Sequence, residues 1–119
     1  MKGKIFVEKN KIINWMPENP TGDTEGIRLA MDVLDNLVSE NPPAHILVDL
    51  SKAHRPDANA RALIIDTIRR NSKSIKKIAL CGHSPLMKAV SYFVINTSGY
   101  NNMQFFSSRH EAAEWLLRE

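Results

Sequence analysis

The sequence predicts one α/β domain: a mixed, mostly parallel five-stranded sheet with about four helices, in the order β-β-α-β-α-β-α-β-α. Three observations support this prediction. The chain has 119 residues, the size of one ordinary domain. Short apolar runs alternate with segments of helical periodicity, a pattern typical of parallel strands with helices between them. No linker, repeat or low-complexity tract divides residues 1–119.

The first two strands are predicted to form a hairpin, which makes the sheet mixed. Apolar runs at residues 4–8 and 11–16 are separated by Lys9 and Asn10. Asparagine tolerates the left-handed backbone conformation that tight hairpin turns require. A loop is predicted next, at Pro17, Pro20 and Gly22.

The middle of the chain predicts two helices and two buried strands. In order, these are a helix at residues 23–40, a strand at 45–50, a helix at 56–71 and a strand at 77–82. The nearly continuous apolar content of the strands indicates burial on both faces, as in a parallel sheet. Pro56 suits the first position of the second helix, and Asp57 suits its first turn.

The last third of the chain predicts a helix at residues 85–97, a strand at 103–106 and a helix at 108–118. Gly99 is expected to end the first of these helices, because glycine readily adopts the left-handed conformation found there. Ser108 is a good N-cap for the last helix, and Glu111 follows at the spacing of a capping box.

The composition excludes several classes of protein. The chain is 43% hydrophobic and 24% charged, as globular domains are. The single cysteine, Cys81, excludes an internal disulfide. A net charge of +3 suits anionic partners, but no aromatic residues are interleaved with the basic ones, so no nucleic acid is expected. No apolar leader follows Met1 and no run has the length of a membrane span, so a cytoplasmic location is expected.

The stretch ILVDLSKAHRPDANAR, residues 46–61, is the first candidate site. It places a polar loop at the carboxyl end of a predicted parallel strand, where open α/β sheets bind ligands. The following helix offers free backbone N–H groups to an anion. The candidate ligand-binding or interaction residues here are Asp49, Ser51, His54, Arg55 and Asp57. The alternative is an ordinary solvated loop.

A second loop, carrying His83 and Ser84, follows the next predicted strand. If the two strands are neighbours, His54 and His83 come close, but no third ligand has suitable spacing, so no metal site is predicted. A small hydrolase using Ser84 and His83 is a further alternative, although the G-x-S-x-G pattern lacks its closing glycine. Because no convergent set of catalytic groups is present, we expect no enzyme and no cofactor.

The helix at residues 85–97 is apolar around most of its circumference. Its outer face is therefore expected either to be covered by neighbouring helices and Trp115 or to bind a partner, a second copy, an apolar ligand or a membrane. Candidate binding residues on it are Leu86, Met87, Val90 and Phe93. A basic cluster is expected to complement the end of the preceding helix or, alternatively, to attract anionic lipids. It consists of Arg69, Arg70, Lys73, Lys76 and Lys77.

This layout, with VDLS ending the central strand, resembles the STAS domain of anti-sigma factor antagonists and sulfate-transporter tails. Asp49 and Ser51 match the Asp-x-Ser part of the STAS signature, and Asp57 falls at its second aspartate. Ala58 stands where the antagonists carry a phosphorylated serine, so the resemblance implies no phosphorylation switch there. The pattern, ending in EAAEWL, is also similar to SpoIIAA-like proteins, which are grouped with the CRAL-TRIO lipid-binding fold.

The resemblance implies a non-catalytic binding or regulatory module. The implied ligand is a small apolar or anionic molecule, or the protein associates peripherally with a membrane. The alternative is a protein-interaction module related to the antagonists, or a homodimer.

Overall fold

The computed structural model describes residues 3–18 and 24–118, which form five strands and four helices. In chain order they are β1 (Gly3–Val7), β2 (Ile12–Pro17), α1 (Thr24–Glu40), β3 (Ala44–Asp49), α2 (Ala58–Arg70), β4 (Ile75–Cys81), α3 (Pro85–Ser98), β5 (Met103–Phe106) and α4 (Arg109–Leu117). The predicted order of elements and fold class are confirmed.

The five strands form one sheet in the order β1-β2-β3-β4-β5. β1 is antiparallel to β2, and the other neighbours are parallel. Each of the helices α1, α2 and α3 connects a strand to the next parallel strand, and α2 packs between α1 and α3 on one face of the sheet. α4 follows the last strand and packs on the other face, against β3, β4 and β5.

Alternating side chains of the central strands supply two separate apolar cores, because successive residues of a strand point to opposite faces. Ile13, Val48 and Leu80 face the three helices α1–α3. The other core lies under α4 and comprises Ile12, Leu47, Ala79, Cys81, Ala112 and Leu116. β3 and β4 are therefore covered on both sides, as their apolar content predicts.

The hairpin turn differs in detail from its prediction. The residue with a left-handed backbone is Lys11, with φ 69°, and not Asn10. Asn10 instead fixes the turn through its side chain, whose oxygen accepts a hydrogen bond from the Ile12 N–H at 3.1 Å. Pro17 is not in a loop, since it is the last residue of β2 and pairs with Gly3. The predicted loop residues Pro20 and Gly22 lie outside the described residues.

Helix α2 begins at Ala58 and not at Pro56. Asp57 is its N-cap, with an extended backbone, and its carboxylate accepts a hydrogen bond from the Ala60 N–H at 2.8 Å. An aspartate at this position satisfies an N–H that otherwise lacks a helical partner, so it sets the start of the helix more strongly than the proline does. Strand β4 likewise begins earlier than predicted, at Ile75, which pairs with Ala44.

The residue predicted to end α3 and the residue predicted to cap the start of α4 both agree with the structure. Gly99 follows α3 in the left-handed conformation, with φ 72°. The Ser108 hydroxyl caps α4 by accepting a hydrogen bond from the Glu111 N–H at 3.2 Å. Across residues 3–18 and 24–118, no helix combines the length and apolar character needed to cross a membrane.

Candidate functional site

The residues singled out in the sequence do not form one site, because the structure distributes them over three places. Asp49, Ser51 and His83 line a polar crevice on the α4 side of the sheet. His54, Met87 and Val90 line an apolar cavity on the side of α1–α3. A surface groove beside α3 is lined by Arg55, Leu86, Val90 and Phe93.

The crevice has a volume of about 160 Å³ and lies where β3, β4 and β5 end. Its lining combines the predicted loop residues with the start of α4. The lining residues are Asp49, Ser51, Cys81, Gly82, His83, Ser107, Ser108 and Arg109.

Arg109 is the central side chain of the crevice, and the sequence analysis did not select it. Its Nη1 donates a hydrogen bond to Asp49 Oδ2 at 3.2 Å, and its Nη2 donates to Asn14 Oδ1. Nη2 also lies 3.7 Å from Glu8 Oε1. Asn14 is fully buried, at 0% exposure. A buried amide inside an apolar strand requires a hydrogen-bond partner, and this was the signal that could have revealed the network.

The charge of Asp49 is stabilised by this arrangement. Burial alone would raise the pKa of its carboxyl group, but hydrogen bonds from Ser51 and the positive charge of Arg109 outweigh burial and lower the pKa. The Ser51 N–H donates to Asp49 Oδ1 at 3.0 Å. Burial, together with the Asp49 charge, raises the pKa of the Cys81 thiol to about 11. Cys81 is therefore a neutral, weakly nucleophilic thiol at pH 7.

The apolar cavity opens between α3 and the sheet, as Val48, Leu80 and Met87 lie in its wall. Its volume is about 60 Å³, far less than the roughly 150 Å³ of a cavity that holds benzene. It therefore has no room for a lipid in this conformation. His54 lines this cavity while His83 lines the crevice, so the two histidines do not share a site. Among the described residues, no group of three metal-ligating side chains occurs.

The groove beside α3 has a volume of about 360 Å³ and mixes apolar and cationic side chains. Leu86 and Phe93 in its lining are 52% and 50% exposed. The Arg61 guanidinium lies 5.5 Å from the centre of the Phe93 ring, and its Nη1 donates to the Pro56 carbonyl at 2.9 Å. These two contacts hold the cation against the apolar side chain. Arg55 and Ala89 complete the lining, together with Val90.

The outer face of α3 is exposed, so of the two alternatives given for it, coverage by neighbouring helices and Trp115 is wrong. Trp115 belongs to α4 on the opposite face, where its ring packs 5.5 Å from that of Phe106. Only the inner side of α3 is buried, through Met87, Ser91, Val94 and Ser98.

Two of the candidate site residues serve the starts of helices. The Asp57 carboxylate accepts hydrogen bonds from the Ala60 N–H and the Thr24 hydroxyl, and these lower its pKa. The Ser84 hydroxyl accepts a hydrogen bond from the Met87 N–H at 3.3 Å. Neither side chain lines one of the three places, although Asp57 follows Pro56 of the cavity in the chain and Ser84 follows His83 of the crevice.

The predicted basic cluster does not form one surface. Arg69 donates to two carbonyl oxygens in the last turn of α3. Arg70 pairs with one carboxylate on α1 and one on α2. Lys77 lies on the other face, where its Nζ donates to the carbonyls of Trp115 and Arg118 at the end of α4. These three cations stabilise different parts of the fold.

The strand order and the position of α4 define a SpoIIAA-like STAS fold, and three solved structures share it. One is described as an anti-sigma-factor antagonist (STAS) domain protein from Planctomyces limnophilus; it has 13% identity and a TM-score of 0.73, over 99% of this chain and 100% of that one. An NMR structure of the protein TM1081 has 19% identity and a TM-score of 0.71, over 97% and 88% of the two chains.

The third is an uncharacterized protein of the DUF3478 family from Shewanella loihica PV-4, described as having a SpoIIAA-like fold. It has 16% identity and a TM-score of 0.71, over 96% of this chain and 91% of that one. Such low identities show a common fold only. The chain belongs to the family described as a domain of unknown function, DUF7793, whose model matches residues 24–118. No protein with a curated description matches the sequence.

Proposed function

We propose that this chain is a non-catalytic binding module and that the groove beside α3 binds a small anionic amphiphile. Such a ligand has an apolar body and a carboxylate or phosphate group. The observation that carries this proposal is the combination of half-exposed Leu86 and Phe93 with Arg55 and Arg61 in one groove.

The apolar part of the groove supplies a driving force for binding. Each square ångström of apolar surface removed from water contributes about 25 cal/mol. Leu86 and Phe93 keep about half of their surface exposed, so a ligand's apolar body has side chains to cover. The groove volume of about 360 Å³ lies at the lower end of the range of roughly 300 to 1,000 Å³ that is typical of small-molecule sites.

The two arginines supply selectivity for a negative charge. Within residues 3–18 and 24–118, no carboxylate comes within ion-pair distance of Arg55 or Arg61, although the Asp57 carboxylate attracts Arg61 from farther away. A guanidinium group binds a carboxylate or phosphate through two parallel hydrogen bonds. Because Phe93 and the Pro56 carbonyl already hold Arg61 in place, little side-chain entropy remains to be lost on binding.

Titration with dodecanoate below its micelle concentration, followed calorimetrically, tests the proposal. We expect saturable binding of dodecanoate and none of dodecyltrimethylammonium, which has the same chain and the opposite charge. Arg55→Gln and Arg61→Gln are each expected to weaken binding about tenfold, because each removes one charge-assisted interaction. Arg28→Gln on the exposed side of α1 is the matched control and is expected to bind normally.

Equal affinity for the two surfactants, or unchanged affinity in both groove variants, would refute an anion-selective groove. Co-sedimentation with anionic vesicles in the absence of dodecanoate binding would indicate peripheral membrane association instead. We expect peripheral membrane association less than dodecanoate binding, because Arg69, Arg70 and Lys77 already bind groups within the fold.

A protein-interaction module is the second candidate function. It is favoured by the exposed rings of Tyr92 and Phe93 on α3 and by the likeness to a structure described as an anti-sigma-factor antagonist domain protein. Light scattering across a concentration series tests self-association through this face. A dimer that Phe93→Asp converts to a monomer would support this candidate, whereas a dimer unaffected by Phe93→Asp would place the interface elsewhere.

A further inference from the structure

The crevice lies where the chain connections of two neighbouring strands diverge. After β4 the chain enters α3 on one face of the sheet, and after β5 it enters α4 on the other. Adjacent parallel strands whose following helices go to opposite faces leave an opening at their carboxyl ends, where open α/β sheets bind ligands. The loops with Gly82-His83 and Ser107-Ser108 line this opening.

The crevice places a hydrogen-bond donor next to hydrogen-bond acceptors. Asp49 and Arg109 lie side by side at 3.2 Å and cancel each other's charge. The Asp49 carboxylate accepts hydrogen bonds from the Ser51 N–H, the Ser51 hydroxyl and Arg109, which leaves about one of its four acceptor positions. The Arg109 Nε–H has no hydrogen-bond partner in the described part of the chain. The hydroxyls of Ser51, Ser107 and Ser108 complete the lining. The Ser51 hydroxyl donates to Asp49 and the other two donate to Glu111, so all three offer a ligand an acceptor.

The surrounding charges do not favour an anion. Glu8 lies 3.7 Å from Arg109, and Glu111 accepts hydrogen bonds from the Ser107 and Ser108 hydroxyls. An entering anion would meet these carboxylates as well as Asp49. A neutral ligand with a donor next to an acceptor avoids that repulsion and matches the Asp49–Arg109 pair directly.

The size of the crevice limits the ligand to one ring. Its volume of about 160 Å³ is close to that of a cavity of roughly 150 Å³ that holds benzene. We propose that the crevice is a second binding site, separate from the groove, for a small neutral ring that carries adjacent hydrogen-bond donor and acceptor groups. The vicinal diol of a pentose and the imide edge of a pyrimidine base share this chemistry.

NMR titration of the ¹⁵N-labelled chain with D-ribose and, separately, with uracil tests the proposal and distinguishes the two sources. We expect one of the probes to shift the amide signals of Ser51, Gly82, His83 and Ser107 in a saturable way. Ser107→Trp places a large side chain at the mouth of the crevice and is expected to weaken this binding at least tenfold. Ser39→Trp, at an exposed position of α1, is the matched control and is expected to leave it unchanged.

The proposal is overturned if neither probe gives saturable shifts in these loops, or if the shifts persist in Ser107→Trp. It is also overturned if inorganic phosphate binds there more tightly than either neutral probe, because the crevice would then be an anion site. Ser51→Ala removes one exposed hydroxyl, together with its hydrogen bond to Asp49, and gives a second variant that does not depend on tolerance of a bulky side chain. We expect it to weaken binding several-fold, and unchanged affinity would contradict a role for that hydroxyl.

Discussion

The two faces of the sheet are covered by different means. On one face, α1, α2 and α3 enclose the larger apolar core, to which Ile13 and Leu34 belong. On the other, the nine-residue helix α4 covers a small core and is tied to the sheet by Arg109. The first face depends on packed volume and the second on a few directed hydrogen bonds. The polar crevice opens on the second face, where one short helix leaves strand ends uncovered.

The first way to test this difference is to remove the same apolar volume from each face. Ile13 and Ile12 are neighbours on β2, are 0% and 1% exposed, and point to opposite faces. We expect Ile13→Ala to lower the free energy of unfolding by about 4 kcal/mol and Ile12→Ala by about 3 kcal/mol, measured by urea denaturation. We expect the smaller loss for Ile12→Ala because α4 alone can move to fill the cavity more easily than α1, α2 and α3, which pack on one another.

Equal losses from the two variants, or a larger loss from Ile12→Ala, would show that α4 is as rigidly placed as the three-helix layer. The two substitutions delete the same atoms from adjacent positions of one strand, so each serves as the control for the other.

The second test breaks the hydrogen bonds that hold α4. Arg109→Met keeps much of the apolar length of the side chain but leaves Asn14 Oδ1 and Asp49 Oδ2 without their donor. Since a buried polar group without its partner costs about 1 to 3 kcal/mol, we expect a loss of about 2 kcal/mol in unfolding free energy.

A double-mutant cycle with Asp49→Ala separates the pair from the rest of the network. We expect Arg109→Met to cost less in the Asp49→Ala background, because the carboxylate that it would leave unpaired is absent. Strictly additive losses would mean that the 3.2 Å contact contributes nothing to holding α4. Arg28→Met, at an exposed position of α1, is the control for loss of a surface arginine.

The difference between the two faces of the sheet also explains how much of the structure could be predicted from the sequence. The order of strands and helices follows from local periodicity, and the handedness of β-α-β connections places α1–α3 together. α4 does not connect two of the described strands, so that rule does not apply to its face. Arg109 joins residues 60 and 95 positions away, and no local pattern encodes such pairings. Asp57 was selected as a site residue because it falls at the second aspartate of the STAS signature, but in the structure its carboxylate is the N-cap of α2.

The third test removes one N-cap from a helix on each face. Ser84 caps α3 and Ser108 caps α4 through equivalent hydroxyl contacts. Each alanine substitution is expected to lower the free energy of unfolding by about 1 kcal/mol, because one N–H loses its acceptor.

Hydrogen exchange is expected to distinguish the two variants. Ser108→Ala accelerates exchange within α4 alone, since that helix can open without the rest of the fold. Ser84→Ala is expected to accelerate exchange beyond α3, because α3 packs on both α2 and β5. The reverse pattern would identify α3 as the independently opening helix.

The smallest expected effect is the dependence of stability on pH through Asp49. Its pKa in the folded state lies below the ordinary value of 3.8, and the difference is limited because burial opposes the hydrogen bonds from Ser51 and the charge of Arg109. A carboxyl group with a lowered folded-state pKa stabilises the fold above its ordinary pKa, and this stabilisation is lost as the pH falls through the folded-state value.

Wild-type protein should therefore lose more stability than Asp49→Asn between about pH 5 and pH 2. Urea unfolding at several pH values measures the two slopes, with Asp32→Asn at an exposed position of α1 as the control. If the free energy of unfolding varies with pH in the same way for wild type and Asp49→Asn, the charge of Asp49 does not contribute to stability. The α4 face would then be stabilised by its hydrogen bonds alone.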